Sequence, residues 1–285
     1  MIAIKLEGRL GNQLFQYAFI YAAAERLGTS FYLDKSVENF ILPRYFEIEN
    51  DFLGIFDRIF STKGYKNIFS IHLKKAFYKI LARMFFGSHK TIVDHPASIV
   101  ENSFDQVKNN YLYEGYFHSE SYFTDYKEQI KKLYRVRSKH EAVFATINAQ
   151  RNFPKRTAVI HIRRTDYVDQ GISLPLSYYK KAIAGIQTDE MSYVFISDEP
   201  AFIEQEFAYI PNKYVSAHNE IIDLQFLMHA DICILSCSSF SWWGAWLNNN
   251  ENKQVFAPKY WLGFKDQHEF PPGIANHLNF NWVQP

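Results

Sequence analysis

An α/β protein in two halves, each built on parallel strands, is what this chain predicts, and three observations carry the prediction. From Thr157 onward short apolar runs alternate with amphipathic stretches. The chain opens with a separate strand–helix–strand pattern, and its 285 residues suit two domains better than one core.

The later half is the more regular. "TAVIHI", "SYVFIS", "KYVSA", "DICILS" and "QVFAP" read as strands, nearly all apolar as buried parallel strands should be. Between them "PLSYYKKAIAGI", "PAFIEQEFA", "EIIDLQFLMHA" and "FSWWGAWLNN" read as helices, which gives a doubly wound sheet. At the start, "IAIKLE" reads as a strand, "GRLGN" as a turn, Leu14 to Leu27 as a helix ended by Gly28, and "SFYLD" as the next strand. Residues 36–122 are irregular in pattern; helices return in "YFTDYKEQIKKLYRV" and "KHEAVFATINAQ", and "RNFPKR" reads as the linker. The boundary is therefore set at 150/151, with an interdomain cleft as the expected ligand site.

Composition narrows the function. Charged residues make up 21% and balance to a net +1, which removes the electrostatic case for a nucleic-acid partner. The two cysteines, Cys233 and Cys237, cannot make a disulfide framework, and no glycosylation sequon occurs. Both facts favour a reducing, cytoplasmic setting, and neither a signal peptide nor a membrane span is expected.

Four stretches fall where strands hand over to the next element. In "HIRRTDYVDQ" an extended chain puts His161 and Arg163 on one face and Arg164 on the other. One arginine should meet a ligand, for which a phosphate or diphosphate suits the planar fork; the other should anchor the loop through a carboxylate such as Asp166. A surface Arg–Asp pair capping the strand is the plainer alternative. "ISDEP" puts Asp198 and Glu199 at a strand end, where a simple helix cap is the alternative. "SCSSFSWWGAWL" puts Ser238, Ser239 and Ser241 at a helix start, suited to a phosphate or to capping. In "GRLGNQ" Gly8 and Gly11 let the backbone approach a ligand. No metal is expected: His229, Cys233 and Cys237 cannot share one face, and the chain contains no Asp-x-Asp.

Together "GRLGNQLFQYA" (8–18), "HIRRTDY" (161–167), "FISDE" (195–199) and "SSFSWWGAWL" (238–247) resemble the α-1,2-fucosyltransferases of glycosyltransferase family 11 type, a family related to the α-1,6- and protein O-fucosyltransferases. The resemblance implies two Rossmann-like domains facing across a cleft, the GT-B arrangement: residues 1–150 on the acceptor side and 151–285 binding GDP-fucose. It implies an inverting, metal- and cofactor-independent enzyme that moves L-fucose from GDP-β-L-fucose to the 2-hydroxyl of a terminal galactose. By motif, Arg163 and Arg164 become the diphosphate and structural arginines, and His161 with Asp198 or Glu199 contacts to guanine and ribose. Ser238, Ser239 and Phe240 line the phosphate and base pocket, and Gly11 and Asn12 approach the donor from the other domain. The α-1,6 relatives carry an acidic residue where Gly171 stands here, which leaves Asp169 as the nearest carboxylate for a general base. Fucosylation with another linkage such as α-1,6, and a non-catalytic glycan-binding module, are the alternatives.

One further feature lies outside these motifs. From Arg58 to Lys90 there are eight basic residues and no acidic one, and "IFSIHLKKAFYKILARMFF" interleaves cations with apolar residues at helical spacing. The expectation is that its apolar face packs on the first domain; the second reading is weak peripheral contact of 58–90 with an anionic inner membrane leaflet.

Overall fold

The computed structural model describes residues 1–48, 68–87, 91–93, 107–151, 156–186, 188, 190–275 and 279–285, and these divide into two compact units, Met1–Arg135 and Val136–Pro285.

In the first unit β1 (Ile2–Lys5) leads through a turn into α1 (Leu10–Leu27) and then β2 (Phe31–Asp34). The helix begins four residues before the expected Leu14, so Gly11 and Asn12 lie in its first turn and not in a loop. The turn is compressed into Leu6–Arg9, where Gly8 has φ +75° and a Cβ would fall 2.3 Å from the Asn12 amide nitrogen. Only glycine fits there. At the other end Gly28 adopts the left-handed conformation expected of a C-cap.

Residues 36–122 hold more order than their pattern suggests. Among the described residues they contain α2 (Ile68–Phe86), β3 (Thr91–Val93) and β4 (Leu112–Glu114), and α3 (Lys127–Leu133) follows. The four strands form a parallel sheet in the order β2-β1-β4-β3. Two buried glutamines of α1 fix the loops around it. Gln13 donates to the carbonyls of Gly8 and Asn39 and accepts from the Ile41 N–H. Gln16 donates to the carbonyls of Lys5 and Gly115 and accepts from the Glu7 N–H. A buried amide satisfied at both ends holds its partners in register, since leaving either end unpaired would cost about 1–3 kcal/mol.

The second unit opens with α4 (Ser138–Gln150), whose Phe144 ring meets Phe226 edge-on and stacks on His229. Then follow β5 (Arg156–Ile162), α5 (Thr165–Asp169), α6 (Leu176–Ala184), β6 (Met191–Ser197), α7 (Pro200–Glu206) and β7 (Lys213–Val215). The unit closes with α8 (Glu220–Met228), β8 (Ile232–Ile234), α9 (Ser239–Leu247), β9 (Gln254–Pro258) and β10 (Asn281–Val283). All its strand pairings are parallel, in the order β10-β9-β8-β5-β6-β7.

The tryptophan-rich motif is largely a packing device. Trp242 and Trp243 are fully buried, and a Cβ on Gly244 would fall 2.5 Å from Leu227 Cβ, so glycine lets α9 lie close on α8. Cys233 and Cys237 are buried free thiols that donate to the carbonyls of Leu227 and Trp261; burial pushes both thiols up, Cys233 to about 12. Among the described residues no group of His, Cys, Asp and Glu is arranged to hold a metal ion.

Candidate functional site

Strand order decides where polar groups can gather. In the second sheet the chain runs outward from β5 to β6 and β7, then returns to β5 and runs the other way through β8, β9 and β10. The order reverses between β5 and β8. In open parallel sheets the crevice outside the carboxyl ends of the strands at such a reversal is where ligands bind. Here His161, near the end of β5, is joined through Nδ1 to Ser236 Oγ, just past β8, at 2.7 Å.

His161 is buried, its ring 5.3 Å from that of Phe240. Burial first, and then the neighbouring Arg163 charge, lower its pKa to about 3 against an opposing pull from Asp198. The imidazole is therefore neutral near pH 7, with one nitrogen a donor and one an acceptor. Ser238 caps α9 by accepting from the Phe240 N–H, and the buried Ser241 hydroxyl donates to the carbonyls of Ser236 and Ser238. The serines thus hold the β8–α9 turn in shape, with Ser239 and Phe240 partly exposed at its surface.

Both arginines are ion-paired, and with different partners. Arg163 reaches Asp166 at 2.6 Å and Asp198 at 3.0 Å. Arg164 pairs through Nε with Glu199 at 2.8 Å, lays its guanidinium on the Phe202 ring at 3.6 Å, and donates its backbone N–H to Asp198. Thr165 also donates to Asp198, and Tyr167 donates its hydroxyl to the Cys237 carbonyl. Asp198 therefore ties the end of β6 to the turn after β5. The sequence pattern expected Asp166 as the anchor; Asp198 and Glu199, over thirty residues away, share that task. Asp169 is exposed at the end of α5, and no hydrogen bond or ion pair joins it to the arginines among the described residues.

In the first sheet β1 and β4 are parallel neighbours, and beyond their ends a histidine again makes a bridge. His118, past β4, bonds Asn12 Oδ1 through Nε2 at 3.1 Å. Its desolvation lowers the imidazole pKa, so Nε2 can carry the proton and donate to the amide oxygen. His118 meets Phe15 edge-on at 4.9 Å and stacks on Tyr116 at 5.1 Å, while Tyr116 itself remains exposed. The next residue, Phe117, has φ +54°, rare for an aromatic, and its ring stacks on Phe19 at 3.8 Å. That buried stack turns Phe117 inward, and Tyr116 beside it faces solvent. Gly11 is buried in the first turn of α1, beneath Asn12.

Tyr116, His118, Ser236 and Phe202 were not singled out by the sequence. Tyr116 and His118 sit in the irregular stretch, and only the pairing of β4 beside β1 brings them to the glycine turn.

The fold and these clusters define an α/β protein whose polar groups collect beyond the strand ends of its parallel sheets, at the reversal in the second. The chain belongs to the family described as Glycosyl transferase family 11, which matches residues 1–270, and the resemblance read from its motifs is thereby established. It is 31% identical to the O-antigen biosynthesis glycosyltransferase WbnK of Escherichia coli, across 90% of this chain and 93% of that protein. An alpha-1,2-colitosyltransferase of Escherichia coli is 26% identical, across 95% of this chain and 96% of its own length. Among solved structures, fucosyltransferase NodZ from Bradyrhizobium superposes with a TM-score of 0.53 at 14% identity, covering 86% of this chain and 91% of that one, a likeness of fold.

Proposed function

We propose that the chain is an inverting fucosyltransferase that moves L-fucose from GDP-β-L-fucose to the 2-hydroxyl of a terminal galactose. The observation that carries the reading is the arginine–carboxylate cluster beside His161 and Ser236 at the β5/β8 reversal. In such a transfer the acceptor oxygen attacks the anomeric carbon from one face while the bond to the β-phosphate breaks on the other. The sugar becomes oxocarbenium-like and the diphosphate gains charge, so stabilising that charge is the main task.

Arg163 is suited to it. An arginine has five N–H donors, and the two bonds to Asp166 and Asp198 leave others to meet a phosphate. Arg164, bound by Glu199 and Phe202, acts as the positioning arginine. His161 and the turn at Ser238, Ser239 and Phe240 hold the nucleotide, with Asp198 and Glu199 shared between arginines and donor. Asn12, held by His118 above Gly11, serves the sugar being transferred, and the Tyr116 ring receives the acceptor pyranose. Asp169 is the candidate base that takes the acceptor proton, and no metal is required.

The α-1,2 linkage is supported by the name of the second relative, in which colitose stands where fucose stands here. The deciding experiment therefore supplies GDP-fucose, or its colitose counterpart, with a panel of galactosides and determines the linkage of the product. GDP release that depends on a galactoside, with an α-1,2-fucosylated product, is expected, and it should survive excess EDTA. Transfer to an N-acetylglucosamine 6-hydroxyl would support the α-1,6 reading, binding without turnover the glycan-binding one, and loss on chelation restored by Mn²⁺ would end metal independence.

A further inference from the structure

The helix α2 satisfies both readings of its sequence at once, on opposite sides. Tyr78, Ala82 and Phe86, four residues apart, face the first sheet and pack with Ala3, Tyr32 and Leu112 in one buried cluster. Leu73, Ile80 and Met84 are exposed by 48%, 59% and 73%. At about 100° per residue those three fall within roughly 40° of one another, on the side of the helix away from the buried row. A third row, Lys75, Lys79 and Arg83, again four apart, is exposed between the buried row and the apolar stripe. Arg83 lies about 60° round from Ile80, and Lys75 lies on the buried row's side. On the other flank of the stripe Lys74 donates to Asn39. No acidic residue occurs anywhere in Ile68–Phe86 to neutralise these cations. Arg58, Lys63, Lys66 and Lys90, read as part of the same basic run, lie outside the described residues.

We infer that the outer face of α2 docks on an anionic lipid surface, with Leu73, Ile80 and Met84 entering the headgroup–acyl boundary and Arg83 and Lys79 beside them reaching lipid phosphates. An apolar stripe edged by cations is the arrangement that lets a helix lie in the interfacial plane. The same cations count against a second copy of the chain as the occupant. Pairing two such faces would oppose like charges, and three apolar side chains fall far short of the roughly 800 Å² per partner of a stable interface. An anionic leaflet supplies both what the stripe lacks and what the cations lack. Among the described residues no helix is long and apolar enough to cross a membrane, so the contact is peripheral. This inference stands apart from the sugar chemistry and would survive a different donor or acceptor.

The full chain is sedimented with vesicles of phosphatidylcholine alone and with vesicles carrying about one-third phosphatidylglycerol. Pelleting with the anionic vesicles at least fivefold above the neutral ones, abolished by high salt, is expected. Two variants then separate the contributions: Ile80→Glu with Met84→Glu, and Lys75→Gln with Lys79→Gln and Arg83→Gln. Because all five side chains are exposed, both variants should keep the wild-type melting temperature and the wild-type rate on a soluble acceptor, and each should lose at least fivefold in vesicle binding. Equal absence from both pellets at low salt overturns the inference, as does wild-type binding by the glutamate variant. A wild-type dimer that the glutamate variant splits, with no vesicle binding, also overturns it and assigns the face to a second copy.

Discussion

At the β5/β8 reversal two guanidinium groups are ion-paired with three carboxylates, whereas beyond the ends of β1 and β4 an amide is bridged by a neutral imidazole. Both places lie beyond the ends of neighbouring parallel strands, and each is bridged by a histidine, His161 to Ser236 and His118 to Asn12. What differs is the charge each edge can offer. Lys5, at the end of β1, is shared by Glu7 and Glu114 at 3.5 Å each, so the first edge offers one paired amine where the second offers two guanidinium forks. The second edge keeps its arginines aligned by carboxylates, ready to share with a phosphate. A charged edge suits the anionic half of a donor, and a neutral edge with an exposed ring suits sugar hydroxyls and the apolar face of a pyranose.

If that division holds, the largest effect should come from the charged edge. Arg163→Ala should lower turnover at least about a hundredfold, since two charge-assisted bonds to a departing phosphate are each worth about 1.5–3 kcal/mol. Arg164→Ala should also lower it, with a fall in melting temperature that Arg163→Ala does not match, because Arg164 is fixed by Glu199, Asp198 and Phe202. Steady-state kinetics and thermal melts together check both. Near-normal rates in a folded Arg163→Ala protein would remove the diphosphate role and with it the contrast between the edges.

How far this contrast could be read in advance depends on distance along the chain. The strands of the second unit were legible because a parallel strand covered on both faces is an almost unbroken apolar run, and β5, β6 and β9 match their predicted stretches to within a residue. β3, β4 and β10 are three residues each and lie outside the regular strand–helix alternation, which is what marked the equally short β7 and β8. The start of α1 was missed because two glycines suggested a loop, while the fold needs a positive φ only at Gly8. The arginine motif announced a site, but the partners Asp198 and Glu199 depend on β6 lying beside β5, and the His118–Asn12 bridge spans 106 residues. Periodicity reports which face of an element is buried; it carries no information on which strands become neighbours.

A middle-sized effect should come from the neutral edge. His118→Phe keeps an aromatic ring against Tyr116 and Phe15 but removes the donor to Asn12, and should cost about three- to tenfold in turnover, the scale of one neutral hydrogen bond. His118→Gln should recover most of it. Combining His118→Phe with Asn12→Ala should add little to Asn12→Ala alone, because the histidine acts through the amide. Full additivity in that cycle would mean that His118 has a separate role; no effect of Asn12→Ala would remove the amide from the reaction.

Smaller still should be the change at Tyr116. Removing the exposed ring with Tyr116→Ala should raise the acceptor KM by about two- to tenfold, the range expected of a ring contact worth 0.5–1.5 kcal/mol, and leave the donor KM unchanged. Tyr116→Trp should preserve affinity. An increase confined to the donor KM would reverse the assignment of the two edges.

The two bridging histidines should differ least of all, and in stability. The His161 pKa is lowered to about 3 from 6.5, chiefly by burial, so between those values the unfolded chain binds a proton that the folded chain refuses. Its contribution is therefore complete above about pH 6.5 and is lost as pH falls towards 3. His118 is lowered to about 3 as well, by burial, so its slope has the same sign and about the same steepness. Asp223 opposes both: burial raises it to about 7 against the Ser216 hydrogen bond, so its contribution is present below about pH 4 and lost as pH rises through 7. The wild-type curve mixes these signs, and the useful quantity is the difference between a variant and wild type at each pH. Melting His161→Gln and wild type at pH 7.5 and 4.5 should show the variant gaining ground at the lower pH by a few degrees, at most about 2.7 kcal/mol for two pH units. The gain for His118→Gln should be about the same. A much smaller gain for His118→Gln would mean that the first edge leaves its histidine hydrated, and that desolvation as well as charge separates the two edges.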